Sequence, residues 1–138
     1  GGGTDSAIYK AAGEKELLAE RKKIGHIKVG TCVATGAYNL KAKYIIHTVG
    51  PYWVDGKHKE EEYLRNCYVN CLKLAKELKC KSIAFPFIST GIYKFPKAKA
   101  LNIAGKNNNV LSGLFFRNAY NNVANKNNVY IPVRHAKI

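Results

Sequence analysis

The sequence predicts one α/β domain with a mostly parallel central sheet, on three observations. The first is AKYIIHTVGP at 42–51, where Tyr44, Ile45, Ile46, Thr48 and Val49 make an almost continuous run stopped by Gly50 and Pro51. Such runs suit a strand covered on both faces. The second is KEEEYLRNCYVNCLKLAKELK at 59–79. Its apolar positions Tyr63, Leu64, Cys67, Tyr68, Cys71, Leu72 and Ala75 recur at three and four, which makes an amphipathic helix. The third is CKSIAFPFISTGIYKFP at 80–96, a strand from Ser82 to Phe87 that empties into the glycine turn Ser89-Thr90-Gly91. Strand, helix and strand in this order, joined by a right-handed crossover, predict parallel strands.

The remaining elements follow from local composition. Residues 5–23 are helical in composition but carry Gly13, so they divide into a short helix and a second, charged one. HIKVGTCVATGAYNL at 26–40 mixes β-branched residues with glycines and predicts a short strand and a turn. KAKALNIAGK at 97–106 starts a helix. Beyond it the chain changes character: asparagine crowds between 107 and 128, no helical period is present, and every acidic residue lies at or before Glu77. An α/β domain would be expected to finish with another helix and strand, and this stretch offers only LFF and VYIPV as strand candidates. The organisation expected is a core over 1–104 followed by an atypical Asn-rich tail, 105–138, that could complete the sheet.

With 138 residues, 46% hydrophobic and 11% aromatic, the chain is long enough for a real core and too apolar for disorder. Lys and Arg outnumber Asp and Glu by 23 to 9, a formal charge of +14, which favours nucleic acid, acidic membranes or anionic metabolites without choosing among them. Cys32, Cys67, Cys71 and Cys80 form neither a CxxC pair nor a zinc spacing, so buried free thiols are expected. The sequence has no apolar run of membrane-spanning length and no signal peptide, so a reducing, cytoplasmic setting is expected.

The opening GGGTDSAIYKAAG reads as a glycine loop that starts a helix, an arrangement that suits phosphate. Such loops follow a strand, which here would lie before residue 1, so the chain reads as a fragment. Two glycine turns, GGGTD and STGIY at 89–93, would gather at the carboxyl edge of a parallel sheet and clamp one diphosphate between them. Asp5 is the candidate ionised group. It is either a helix N-cap or a carboxylate that orients a water for attack on an ester or glycosidic carbon. A single carboxylate lacks the paired acid of a conventional glycosidase, so leaving-group help would come from the substrate. His47, in mid-strand, reads as a buried imidazole bonded to backbone. Tyr93 and Phe95 suit stacking on a sugar or base as well as ordinary packing.

Three of these stretches together resemble the macro domain family. GGGTDSAIYKAAG looks like its first ligand loop and helix, AYNLKAKYIIHTVGP resembles its middle strand motif Y-x-L-x-A-K-Y-I-I-H-x-V-G-P, and SIAFPFISTGIYKFP is similar to its second ligand loop. The likeness runs from Gly1 to about Ala104. It is nearest to the branch holding MacroD-type ADP-ribosyl hydrolases and O-acetyl-ADP-ribose deacetylases. The resemblance implies a three-layer α/β/α fold that binds ADP-ribose. Gly1, Gly2, Gly3, Thr4, Asp5, Ser6 and Ala7 would line one side of the ligand, and Ser89, Thr90, Gly91, Ile92 and Tyr93 would wrap its diphosphate and distal ribose. It further implies that Asp5 activates or positions the water, that ADP-ribose is released from acidic side chains or from its acetyl ester, and that no metal or cofactor is needed.

The sequence departs from the family's pattern at both ends. The family's first strand, its adenine-contacting aspartate and the strand ending in N-A-A-N would precede the glycine loop, and the tail does not resemble the family's last elements. FFRNAYN resembles a strand followed by N-A-x-N, and VYIPVRHAKI resembles a first strand, so a permuted tail replacing those strands is one alternative, although the two pieces would stand in the wrong mutual order. Without replacement, the sheet would expose unpaired edges and half a core. Two functional alternatives accompany the hydrolase: a non-catalytic reader of ADP-ribose or ADP-ribosylated protein, and a basic module for RNA or poly(ADP-ribose).

Overall fold

The computed structural model describes residues 3–85, 96, 98–99, 102–103, 115–118, 129–130 and 133–136, with residues 3–5 and the strands of the tail described by their backbone. Its order is α1 (Gly3–Ala12), α2 (Glu14–Ile24), β1 (Cys32–Gly36), β2 (Tyr44–Pro51), α3 (Glu60–Glu77), β3 (Ser82–Phe85), β4 (Phe115–Asn118), β5 (Val129–Tyr130) and β6 (Val133–Ala136). Gly13 divides the first two helices as its composition predicts: its φ of +110° is open to glycine and breaks the helical path. Glu14 and Glu16 in the first turn of α2, and Arg21, Lys22 and Lys23 in its last, complement the helix dipole.

The sheet runs β1-β2-β5-β3-β4, with β6 also paired to β2. β1 lies antiparallel to β2, with Cys32 opposite Thr48 and Gly36 opposite Tyr44, and every other pairing is parallel. β2 and β3 are parallel, as the strand-helix-strand order predicts, but they are not neighbours. β5 lies between them, with Tyr130 opposite both Ile45 and Ala84. The tail thus supplies strands at both strand candidates read from its sequence, and the edges of β2 and β3 that face each other are paired rather than exposed. Just before the tail, positions 98–99 and 102–103 are helical, within the stretch expected to start a helix.

Why β2 reads as a continuous apolar run is evident from its two faces. Ile46 packs with Leu64, Cys67, Tyr68, Cys71, Leu72 and Ala75 of α3, with Ile83 of β3 and with Ile103. Ile45 faces the other way, into a cluster with Ile8 and Ala12 of α1, Leu17 of α2 and Ala37. Helices therefore cover both faces of this strand and the layers are α/β/α. The α3 residues expected to face the core are buried except Tyr63, which is half-buried. Past the end of α3, Lys79 adopts φ +59° while the Cys80 N–H donates to Ala75 O at 3.0 Å. Among the described residues, no helix is long and apolar enough to cross a membrane.

Candidate functional site

Helix α1 is fixed at three levels. At its C-terminal end the Asn39 N–H donates to Ala12 O at 2.9 Å, beside the turn that leads into β2. One turn back, Tyr9 meets the His47 ring edge-on, with centroids 6.1 Å apart and planes at 72°, in the middle of β2. Ile8 and Ala12 are buried in the core below. The helix therefore runs antiparallel to β2. Gly3 lies six residues before Tyr9, about 9 Å farther along at 1.5 Å per residue, toward the carboxyl end of β2. The packing of α1 against β6, which pairs with Thr48 to Pro51, places that N-terminus at the same edge.

β3 points the same way as β2, so its carboxyl end, from which the second predicted ligand loop departs, opens on this edge too. Ligands of open parallel sheets bind at such an edge. Of the residues expected to bind ligand, Gly3, Thr4, Asp5, Ser6 and Ala7 form the first turn and a half of α1, with Ser6 half-buried and Ala7 exposed. Gly1, Gly2, Ser89, Thr90, Gly91, Ile92 and Tyr93 lie outside the described residues, as does Phe95. Asp5 is the third residue of α1 and so stands inside the first turn rather than at the N-cap position. The first-turn N–H groups of this helix have no partner within it.

The loop after β2 leaves from the same edge and is tied down by one carboxylate. Buried Glu60 accepts the N–H groups of Val54, Asp55 and Gly56 on Oε2 at 3.1, 2.9 and 2.8 Å, and that of His58 on Oε1 at 2.6 Å. Burial pushes this carboxyl up, but the four N–H donors outweigh it and hold it down to about 2. Asp55 accepts from Lys57 N–H and pairs with the His58 ring at 2.8 Å; the first of these contacts leads in lowering its carboxyl, and the pairing raises the imidazole. Asp55, His58 and Glu60 bring ligand atoms within 4.8 Å of one another. Both Glu60 oxygens are already engaged by backbone, so this is the geometry of a clamped loop. On its far side, Lys99 pairs with Glu61 at 3.1 Å and stands 5.7 Å over the Trp53 ring. The spacing of a lone glutamate at a helix start carried no sequence signal for this role beyond its first-turn position.

His47 is buried, as expected, but its partner is a side chain: Nε2 lies 2.8 Å from the Thr35 hydroxyl. Burial, and after it the Arg21 charge, push the imidazole down to about 4. The Tyr9 ring of α1 packs edge-on against it, so His47 supports α1. All four cysteines are free thiols, three buried and Cys32 half-buried.

A family model described as Macro domain matches residues 1–104. A macro domain-containing protein of Caldanaerobacter subterraneus is 52% identical over 107 residues, covering 75% of this chain and 61% of its own length. The O-acetyl-ADP-ribose deacetylase of Escherichia fergusonii is 51% identical over 109 residues, covering 77% and 62%. The chain thus spans about three fifths of the length of these curated relatives. Among solved structures, the Oceanobacillus iheyensis macrodomain with ADP matches with a TM-score of 0.73 and 34% identity, over 97% of this chain and 69% of that one. The Trypanosoma brucei macrodomain in complex with ADP-ribose matches at 0.75 and 32%, over 96% and 52%.

Proposed function

This chain belongs to the macro domain family, and from that premise we propose that it binds ADP-ribose at the carboxyl edge of the sheet and hydrolyses ADP-ribose esters. The observation that carries this reading is the direction of α1, whose N-terminus points to the edge on which β2 and β3 end. First-turn N–H groups and the positive end of the helix dipole suit the ligand's diphosphate. The formal charge of +14 draws an anionic ligand in from a distance. Gly1 to Ala7 form one wall in this reading, and Ser89 to Tyr93 the other.

Asp5 is the residue that acts on water. Its carboxylate orients a water and draws off part of its proton as the oxygen attacks the ester carbon. The ribose oxygen leaves as a hydroxyl, giving free ADP-ribose, and the acyl carbon keeps the water oxygen as acetate or a protein carboxylate. With one carboxylate at hand, the leaving oxygen is assisted by the substrate itself. The curated relative named O-acetyl-ADP-ribose deacetylase supports the ester as substrate. The four free cysteines support a reducing, cytoplasmic setting.

The test is calorimetric titration with ADP-ribose at two salt concentrations, with AMP as control, followed by turnover of O-acetyl-ADP-ribose. Saturable, weakly salt-dependent binding with release of acetate is expected. Binding without turnover would leave a reader, and binding that collapses with salt and does not distinguish AMP would leave a charge-driven module.

A further inference from the structure

Asp5 and Tyr9 are four residues apart in α1, so they lie on one face of it, with Asp5 about 6 Å nearer the ligand edge. The Tyr9 ring packs edge-on against His47 of β2. The register of the sheet decides what holds His47 in turn. Thr35 stands opposite Ile45, and His47 follows Ile45 by two, so Thr35 and His47 are diagonal neighbours on the face that α1 covers. Their side chains meet at 2.8 Å, and the two residues are only 2% and 4% exposed. The Thr35 hydroxyl gives its proton to Gly36 O at 3.0 Å, so it receives the one on Nε2. Ile8 and Ala12 also hold α1 on the sheet, but through apolar burial, which has no preferred direction. A hydrogen bond does have one. Thr35 thereby fixes the plane of the ring against which Tyr9 rests.

We propose that His47 is a positioning residue for ester hydrolysis: locked by Thr35, its ring seats Tyr9 and so sets where α1 presents Asp5 to the bound ligand. This rests on the reading of Asp5 as the group that orients water. His47 acts only through Tyr9 and the helix. A group that aims a water tolerates little displacement, since a shift of about 1 Å can lower a rate by about 10²-fold. The diphosphate, met by several first-turn N–H groups and by the helix dipole, tolerates more. Loss of the lock is therefore expected in kcat rather than in affinity.

Thr35→Val keeps the shape and burial of the side chain and removes the hydroxyl, whereas Thr35→Ser keeps the hydroxyl. In the whole chain, Thr35→Val should lower kcat for O-acetyl-ADP-ribose about tenfold or more while the Kd for ADP-ribose moves less than about threefold. Thr35→Ser should recover most of the rate. His47→Phe retains a ring for Tyr9 but no N–H, so it should match Thr35→Val, and it carries the test if that variant does not fold. In an Asp5→Asn background the same substitutions should lower the residual rate no further, because the group they position is gone. Unchanged kcat in Thr35→Val or His47→Phe would overturn the proposal. So would affinity lost in step with kcat, or an equal fall in kcat with and without Asp5, because either marks a general structural role. Asp5→Asn alone tests the underlying reading. If it turns over at full rate, that reading fails and the inference with it; slow Asp5→Asn beside fast Thr35→Val keeps the reading and removes only the inference.

Discussion

The Thr35 hydroxyl and His47 Nε2 lie 2.8 Å apart, both buried, under the helix whose N-terminus reaches the ligand edge. Thr35 gives its one proton to Gly36 O at 3.0 Å, so Nε2 carries the imidazole proton and donates to the hydroxyl. The folded protein holds this ring neutral, because burial and then Arg21 depress it to about 4. An unfolded chain titrates the same ring near 6.5.

Between those two values the unfolded state binds a proton that the native state refuses, so stability rises with pH through the window and falls as acid is added. The full loss from about pH 6.5 down to about 4 is roughly 3 kcal/mol. Denaturant titrations across this range should show it. In His47→Gln, the slope over the same window should largely vanish, even though the variant is weaker at pH 7.

Glu60 governs a lower window with the same sign. Its folded value is depressed to about 2, so its contribution is complete above the ordinary carboxylate range and is lost as pH falls through about 2. Glu60→Ala leaves four backbone N–H groups of residues 54–58 without their acceptor and should cost at least about 2 kcal/mol at pH 7. Amide exchange at Val54, Asp55, Gly56 and His58 should accelerate in the variant, while exchange in β2 should change only as far as global stability does.

Gly30 tests how closely β1's approach is packed on α3. Its φ is +83°, its N–H donates to Val49 O at 2.9 Å, and its carbonyl accepts from Asn70 Nδ2 at 2.8 Å. A Cβ there would meet Asn66 Cβ at 3.2 Å and the Tyr63 ring at 3.3 Å. Gly30→Ala combines left-handed strain with that crowding and should lose roughly 1–3 kcal/mol, read as a lower urea midpoint at unchanged slope. Gly25 has a similar φ of +84° with open space around it, so Gly25→Ala should suffer the strain alone and lose less.

The core elements were legible because their periodicity is the packing. The α3 spacing names the residues that cover Ile46, and the unbroken run in β2 reflects two helical layers. Position in the sheet was not legible. Nothing in VYIPV says that Tyr130 sits between Ile45 and Ala84, since parallel pairing joins residues far apart in sequence and leaves no local mark. The same holds for His47, whose partner twelve residues away is a side chain set by strand register. Of the candidate site, the helix start was readable from GGGTD, while the second turn lies outside the described residues. The direction of α1 needed Tyr9, His47 and Asn39 placed in space.

Asp5 offers the sharpest test of the proposed chemistry because two roles of its carboxylate predict opposite changes. In the first turn of α1 it complements the helix dipole, a contribution of about 0.3–1 kcal/mol that Asp5→Asn removes. That loss lowers the thermal midpoint slightly and leaves turnover alone. As the group that orients water, it contributes about 10²–10⁴-fold to rate. Removing a negative charge beside a diphosphate does not weaken binding. Asp5→Asn and Asp5→Ala should therefore lower kcat for O-acetyl-ADP-ribose by two orders of magnitude or more, while ADP-ribose binds as well as before or more tightly. Parallel loss of affinity and rate would instead mean that the carboxylate builds the loop, and unchanged kcat would take Asp5 out of the chemistry.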